Sequence, residues 1–148
     1  MFILTIVVFV IDLVSKLIVS NLMNVHDSIV VIKGIFNISY FRNTGGAWSI
    51  LSEHTWLLTV FSLLIIIFIC GYIYKSKINN KLEKLGYSMI LGGSVGNLFD
   101  RIIYGYVIDF LDFNIFGYDF PIFNLADTFI VLGVIIIVIS SFGGEKNV

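Results

Sequence analysis

The chain has 148 residues, 58% of them hydrophobic and 13% charged, with a formal net charge of −1 and a mean hydropathy of +1.00. That balance lies far on the apolar side of a soluble domain and points to a membrane protein. It offers no basic footprint for nucleic acid, and the single Cys excludes a disulfide scaffold.

Crossing a bilayer core takes about 20 mostly apolar residues, and four windows of that length stand between charges. The first, residues 2–22, is interrupted by Asp12 and Lys16, four apart and therefore on one helix face. A buried acid or base on insertion scales costs about 2.5 to 3.5 kcal/mol, so such residues face the protein interior with a partner. For these two a self-neutralising structural ion pair is the simpler reading. The window lacks a basic start and a small-residue cleavage site, so it is expected to be retained rather than removed as a signal peptide. An outer segment, residues 23–54, follows. Its IVVIKGIFNISYFRN stretch is β-branched and aromatic with Gly34 as punctuation, which predicts a short sheet at the membrane surface. With Trp48, that segment is expected to rest at the interface and act as a clamp over a bound peptide.

The second window, residues 55–74, carries no charge, and its Cys70 is read as a packing residue. KSKINNKLEK comes next, with Lys75, Lys77, Lys81 and Lys84 against Glu83. The positive-inside rule assigns this loop to the cytoplasm, and both termini with it. The third window, residues 85–104, contains GGSVGNLFDR. Its glycines allow close helix approach, whereas Asn97 and Arg101 share a face and admit either a site role or a structural one. Arg101 lies near the outer end, where it can reach the interface, but that explains neither Asn97 nor Asp100.

YGYVIDFLDF, residues 104–113, places Asp109 among Val107, Ile108, Phe110 and Leu111, surroundings that disfavour ionisation. Taken alone, the stretch also fits an ordinary loop acid, and Asp112 is its plain competitor. The fourth window, residues 122–142, is headed by PIFNLADTFI. Asn124 suits an N-cap and Asp127 the N3 position, where an acid complements the helix dipole, so capping alone accounts for both. Topology favours more. Asp109 and Asp127 are expected at the outer ends of adjacent helical segments, 18 residues apart through a tight connection.

Two carboxylates meeting at a water-poor boundary cannot both ionise easily, so one keeps a proton while the other stays a base. Such a pair can activate a water against a peptide carbonyl without a metal or a covalent intermediate. Other peptidase chemistries lack their parts: His26 and His54 sit apart in outer segments and read as surface residues, no HExxH or GxSxG occurs, and Cys70 has no positioned base. A proton relay through Asp12, Lys16, Asp109 and Asp127 in a small transporter is the alternative, as is a non-catalytic lipid-binding assembly factor. The inner halves of the later windows offer a relay no charged stepping stone.

DLVSK at 12–16, FRNTGGAW at 41–48, GGSVGNLFDR at 92–101, YVIDF at 106–110 and FNLADTFI at 123–130 together resemble the bacterial lipoprotein signal peptidases, the type II signal peptidases, in order and spacing over nearly the whole chain. The resemblance implies an all-α membrane protein of four transmembrane helices with a small β-containing extracytoplasmic segment between helices 1 and 2, forming one domain. It implies an aspartic endopeptidase of the bacterial cytoplasmic membrane, among membrane lipids, whose chemistry needs no cofactor or metal; the sequence offers no evident assembly surface, so a single copy is the default expectation. The substrates would be prolipoproteins, cut before a diacylglyceryl-modified cysteine. Asp109 and Asp127 match the family's catalytic pair. Asn43, Gly45, Asn97, Asp100, Arg101, Asn124 and Ala126 match motif positions expected near the pocket, and Asp12 and Lys16 match a motif expected to be architectural. One departure is Gly46, where the family usually has Ala; it adds backbone freedom near the pocket and bears on substrate preference.

Overall fold

A computed structural model describes residues 1–46, 50–52 and 54–144; Trp48 lies outside the described residues. Four helices and four short strands follow in the order α1 (Phe2–Leu22), β1 (Ser28–Ile32), β2 (Phe36–Asn43), α2 (Thr55–Ser76), α3 (Lys81–Tyr104), β3 (Val107–Ile115), β4 (Tyr118–Asp119) and α4 (Leu125–Gly144). Three helical spans, Phe2–Leu22, Thr55–Ser76 and Leu125–Phe142, are long and apolar enough to cross a membrane.

The remaining helix, α3, is the polar spine of the bundle. It touches α1, α2 and α4, and its buried face is made of Gly86, Ser88, Gly92, Gly93, Ser94, Gly96, Asn97 and Asp100 among apolar residues. Small side chains let neighbouring helices come close. A Cβ on Gly93 would collide with the Ala126 carbonyl oxygen, and one on Gly96 with Asp12 Oδ2. Both glycines therefore mark places where α1 and α4 lie directly on the α3 backbone. In contrast, α2 packs chiefly on α3 and buries no residue.

All strands pair antiparallel in the order β1–β2–β3–β4. The predicted hairpin is present, turning at Gly34, whose φ of +75° suits glycine. Residues 107–119 enlarge the sheet, and Asp109 is carried by a strand rather than by the end of a helix. The reason is non-local: VIDFLDFNI finds its partner in β2, with Arg42 opposite Ile108 and Asn37 opposite Asp112. Asp112 accepts hydrogen bonds from Ser39 Oγ at 2.7 Å and Asn37 Nδ2 at 3.3 Å, and so ties β3 to β2. Beneath the sheet, Val19 of α1 packs with Tyr40, Ile108 and Phe110.

Other boundaries shift by a few residues. α3 begins at Lys81, capped by Asn80 Oδ1 accepting from Leu82 N at 2.8 Å, so Lys81 and Lys84 belong to its first turns. α4 begins at Leu125 because residues 120–123 run along β3: Phe123 O accepts from Phe110 N and Leu111 N at 2.9 and 2.7 Å, and Phe123 N donates to Leu111 O at 3.1 Å. The sheet and the start of α4 thus share one end of the bundle. The lysine loop sits at the other end, where Ser88 Oγ donates to Met1 O and Asn80 Nδ2 to Ser140 Oγ.

Candidate active site

The pairing of Phe123 with β3 delivers Asn124 to Asp109. Asn124 is fully buried and acts as N-cap of α4: its Oδ1 accepts from Asp127 N at 3.0 Å, and Asn124 N donates weakly to Asp127 Oδ2 at 3.4 Å. This is the reciprocal arrangement of a capping box. The same side chain also donates from Nδ2 to Asp109 Oδ1 at 2.7 Å and to Asn97 Oδ1 at 3.1 Å. Capping and site assembly are one geometry.

Asp109 and Asp127 both line a cavity of about 480 Å³ together with Asn43, Gly46, Asn97 and Arg101. Three amides orient the two carboxylates. Asn43, at the end of β2, donates to Asp109 Oδ2 at 2.8 Å, Asn124 holds Oδ1, and Asn97 on α3 donates to Asp127 Oδ1 at 2.7 Å. Burial, and then the charge of Asp127, push the Asp109 carboxyl up from 3.8 to about 7, against the amides of Asn43 and Asn124 and the Lys16 charge, which pull it down.

Arg101 reaches the cavity from the last turn of α3. Its Nη2 makes only a 3.5 Å contact with Gly45 O, and its Nε has no hydrogen-bond partner among the described residues. Gly45 N donates to Asn43 Oδ1 at 2.9 Å, which fixes that amide. At Gly46 a Cβ would meet only Ile50 O at 3.6 Å, an ordinary contact. A side chain here would therefore fit without strain from its neighbours, although Gly46 borders the cavity.

Asp12, Lys16, Asp100 and Ala126 are not in the cavity wall. They lie beneath it, all nearly or fully inaccessible. Lys16 Nζ forms ion pairs with Asp12 Oδ2 at 2.8 Å and Asp100 Oδ2 at 3.0 Å, and donates a hydrogen bond to Asn97 Oδ1 at 2.9 Å. Asp12 Oδ1 accepts from Ala126 N at 2.8 Å, and Asp100 Oδ2 from Ile108 N at 3.2 Å. The self-contained Asp12–Lys16 pair expected from spacing is a wider network.

Sequence reasoning missed the apolar wall: Val107, Phe120, Pro121, Ile122, Phe123, Thr128, Val131 and Leu132. Part of it was accessible, since Val131 stands four residues after Asp127 and shares its helix face. The 120–123 segment carries no such signal, because its place depends on pairing with β3. His26 and His54 are exposed and outside the cavity lining.

Known proteins resemble the chain in sequence and in fold. A family profile described as signal peptidase (SPase) II matches residues 4–143. The lipoprotein signal peptidase of Staphylococcus haemolyticus (strain JCSC1435) is 40% identical over 138 residues, covering 93% of this chain and 87% of its own. That of Staphylococcus aureus (strain JH9) is 39% identical over 140 residues, covering 95% and 86%. A bacterial membrane enzyme structure obtained by the in meso method at 2.3 Å superposes with a TM-score of 0.89 at 37% identity, over 99% of this chain and 89% of the other. With the profile spanning nearly its full length and relatives this close, the chain belongs to the signal peptidase II family.

Proposed function

We propose that this chain is an aspartic endopeptidase that removes signal peptides from diacylglyceryl-modified prolipoproteins, cutting before the lipidated cysteine, with Asp109 and Asp127 as its catalytic pair. The observation that carries the reading is the presence of both carboxylates in one cavity, each held from behind by amide donors and facing an otherwise apolar wall. On the acid side of about pH 7 Asp109 keeps its proton, because burial and the charge of Asp127 oppose its ionisation.

The reaction follows from that one proton. The ionised carboxylate takes a proton from water as the oxygen attacks the peptide carbonyl carbon, while the protonated partner gives its proton to the carbonyl oxygen. The resulting gem-diol collapses: one hydroxyl returns its proton to a carboxylate, the C–N bond breaks, and the other carboxyl protonates the leaving nitrogen. The pair ends with one proton, as it began. Arg101 supplies donors for a substrate backbone carbonyl, and Val131 and Leu132 lie beside apolar parts of the substrate.

The protein works in the bacterial cytoplasmic membrane as a single copy. All four helices cross it, both termini and the lysine loop are cytoplasmic, and the sheet lies on the outer face. A substrate that is itself a membrane helix then meets the pair at the depth of its lipidated cysteine. A proton-relay function draws less support, because Asp12 and Lys16 are locked to Asp100 and Asn97 rather than open to a path.

Cleavage of a diacylated prolipoprotein by purified protein in detergent tests the assignment. Asparagine at either position still accepts hydrogen bonds but exchanges no proton at neutral pH. Asp109→Asn and Asp127→Asn are therefore expected to fold and to lose activity by about 10³-fold or more. Normal cleavage by Asp127→Asn would leave that residue with its capping role alone.

A further inference from the structure

We propose that the buried Asp12–Lys16–Asp100 cluster is a positioning device that sets the separation of Asp109 and Asp127, an inference that rests on reading those two residues as the reacting pair. Each carboxylate of the cluster holds one backbone N–H, and each of those belongs to the residue immediately before a pair member. Asp12 Oδ1 accepts from Ala126 N at 2.8 Å, and Asp100 Oδ2 accepts from Ile108 N at 3.2 Å. Lys16 Nζ joins the two carboxylates at 2.8 and 3.0 Å. It also donates a hydrogen bond to Asn97 Oδ1 at 2.9 Å, which accepts from Asn124 as well. With Oδ1 so occupied, the amide nitrogen of Asn97 turns to Asp127 Oδ1 at 2.7 Å. One ammonium group, held between α1 and α3, therefore fixes through its partners the backbone before Asp109, the backbone before Asp127 and the rotamer of Asp127's amide donor.

A strut that only fastened α1 to α3 would need the Lys16–Asp100 pair and nothing more. It would not place the remaining bonds of both carboxylates on these two N–H groups. Buried ion pairs are also weak sources of stability, since apolar replacements of similar volume are often as good. What such a cluster supplies is fixed geometry, and geometry is what a water-gripping pair needs: a misplacement of about 1 Å costs on the order of 100-fold in rate.

The test uses the full chain in detergent with a diacylated prolipoprotein, reading kcat, KM and the pH dependence of kcat/KM. Asp100→Asn keeps an acceptor for Ile108 N–H but weakens the bond to Lys16. Lys16→Arg keeps the charge while enlarging the cationic head. Both are expected to lower kcat by about 10- to 100-fold with KM within about twofold. Both are also expected to bring the two limbs of the pH profile closer together, because carboxylates farther apart split their ionisations less. The charges facing the pair are Lys16 and Asp12 on α1 and Asp100 and Arg101 on α3. Changing one of these charges moves both limbs the same way, whereas altered spacing changes the gap between them.

An unchanged gap with kcat within about twofold of wild type in both variants would overturn the proposal. So would a loss confined to thermal stability, or failure of both variants to fold. Asp109→Asn separates this from the underlying reading. If it retains turnover, the assignment of the pair fails; if it is inactive while Asp100→Asn and Lys16→Arg behave as wild type, only the positioning idea fails.

Discussion

Asn43 and Asn124 grip the same carboxylate from two sides, and both bonds favour its ionised form. Burial and the neighbouring Asp127 win nonetheless and leave Asp109 near 7 rather than 3.8. On the proposed mechanism the pair works with one proton, so the alkaline limb of kcat/KM is expected near pH 7. Asn43→Leu removes a donor that favours the anion and must raise the Asp109 pKa further, moving that limb to higher pH. A pH–rate profile of the variant checks this, and a limb that stays or moves down contradicts the assignment. At this scale the sequence was informative about residue types. The pairing of Asn124 with Asp127 was legible from their spacing of three, because a cap is local. The bonds from Asn43 to Asp109 and from Lys16 to Asn97 were not, since those partners lie 66 and 81 residues away.

Among the elements, α3 decides how closely everything else approaches. Gly96 faces Asp12 across a gap with no room for a Cβ, while Gly71 on α2 has nothing within 4 Å. Gly96→Ala is therefore expected to destabilise the protein by about 1 to 3 kcal/mol through overpacking and to cut cleavage along with it. Gly71→Ala, the control, should leave both unchanged; thermal unfolding and the cleavage assay read the difference. The long apolar runs made the helices legible, α1 to its observed limits, and the β-branched run before Asn43 announced the hairpin. The strand carrying Asp109 was hidden because its partner, β2, is distant in the chain, and VIDFLDF by itself is equally compatible with a loop or a helix end. A deletion of residues 29–39, conceived to remove a clamp, would also strip β3 of its pairing from Phe36 to Ile38. Loss of activity in that deletion would then report on the seat of Asp109 as much as on a cover.

For the molecule as a whole, the fold separates two ends. The lysine loop and Met1 share one, and the sheet, Asp109 and Asp127 share the other. In a Cys70→Ser background, Lys33→Cys in the hairpin turn is expected to react with an impermeant maleimide in intact cells. Lys77→Cys, beyond α2, should react only after permeabilisation, and the reverse pattern would invert the orientation. Charge asymmetry is what predicts that orientation, because insertion responds to nearby Lys and Arg rather than to packing. The openness of α2 was not legible in the same way: an uncharged apolar window looks identical whether neighbours enclose it or not. With no buried residue, α3 as its main support and the length and apolarity of a membrane span, α2 would in a bilayer have its outline completed by fluid hydrocarbon. Acyl-chain order and bilayer thickness then become part of the protein's own architecture, setting how firmly one flank of the catalytic bundle is held.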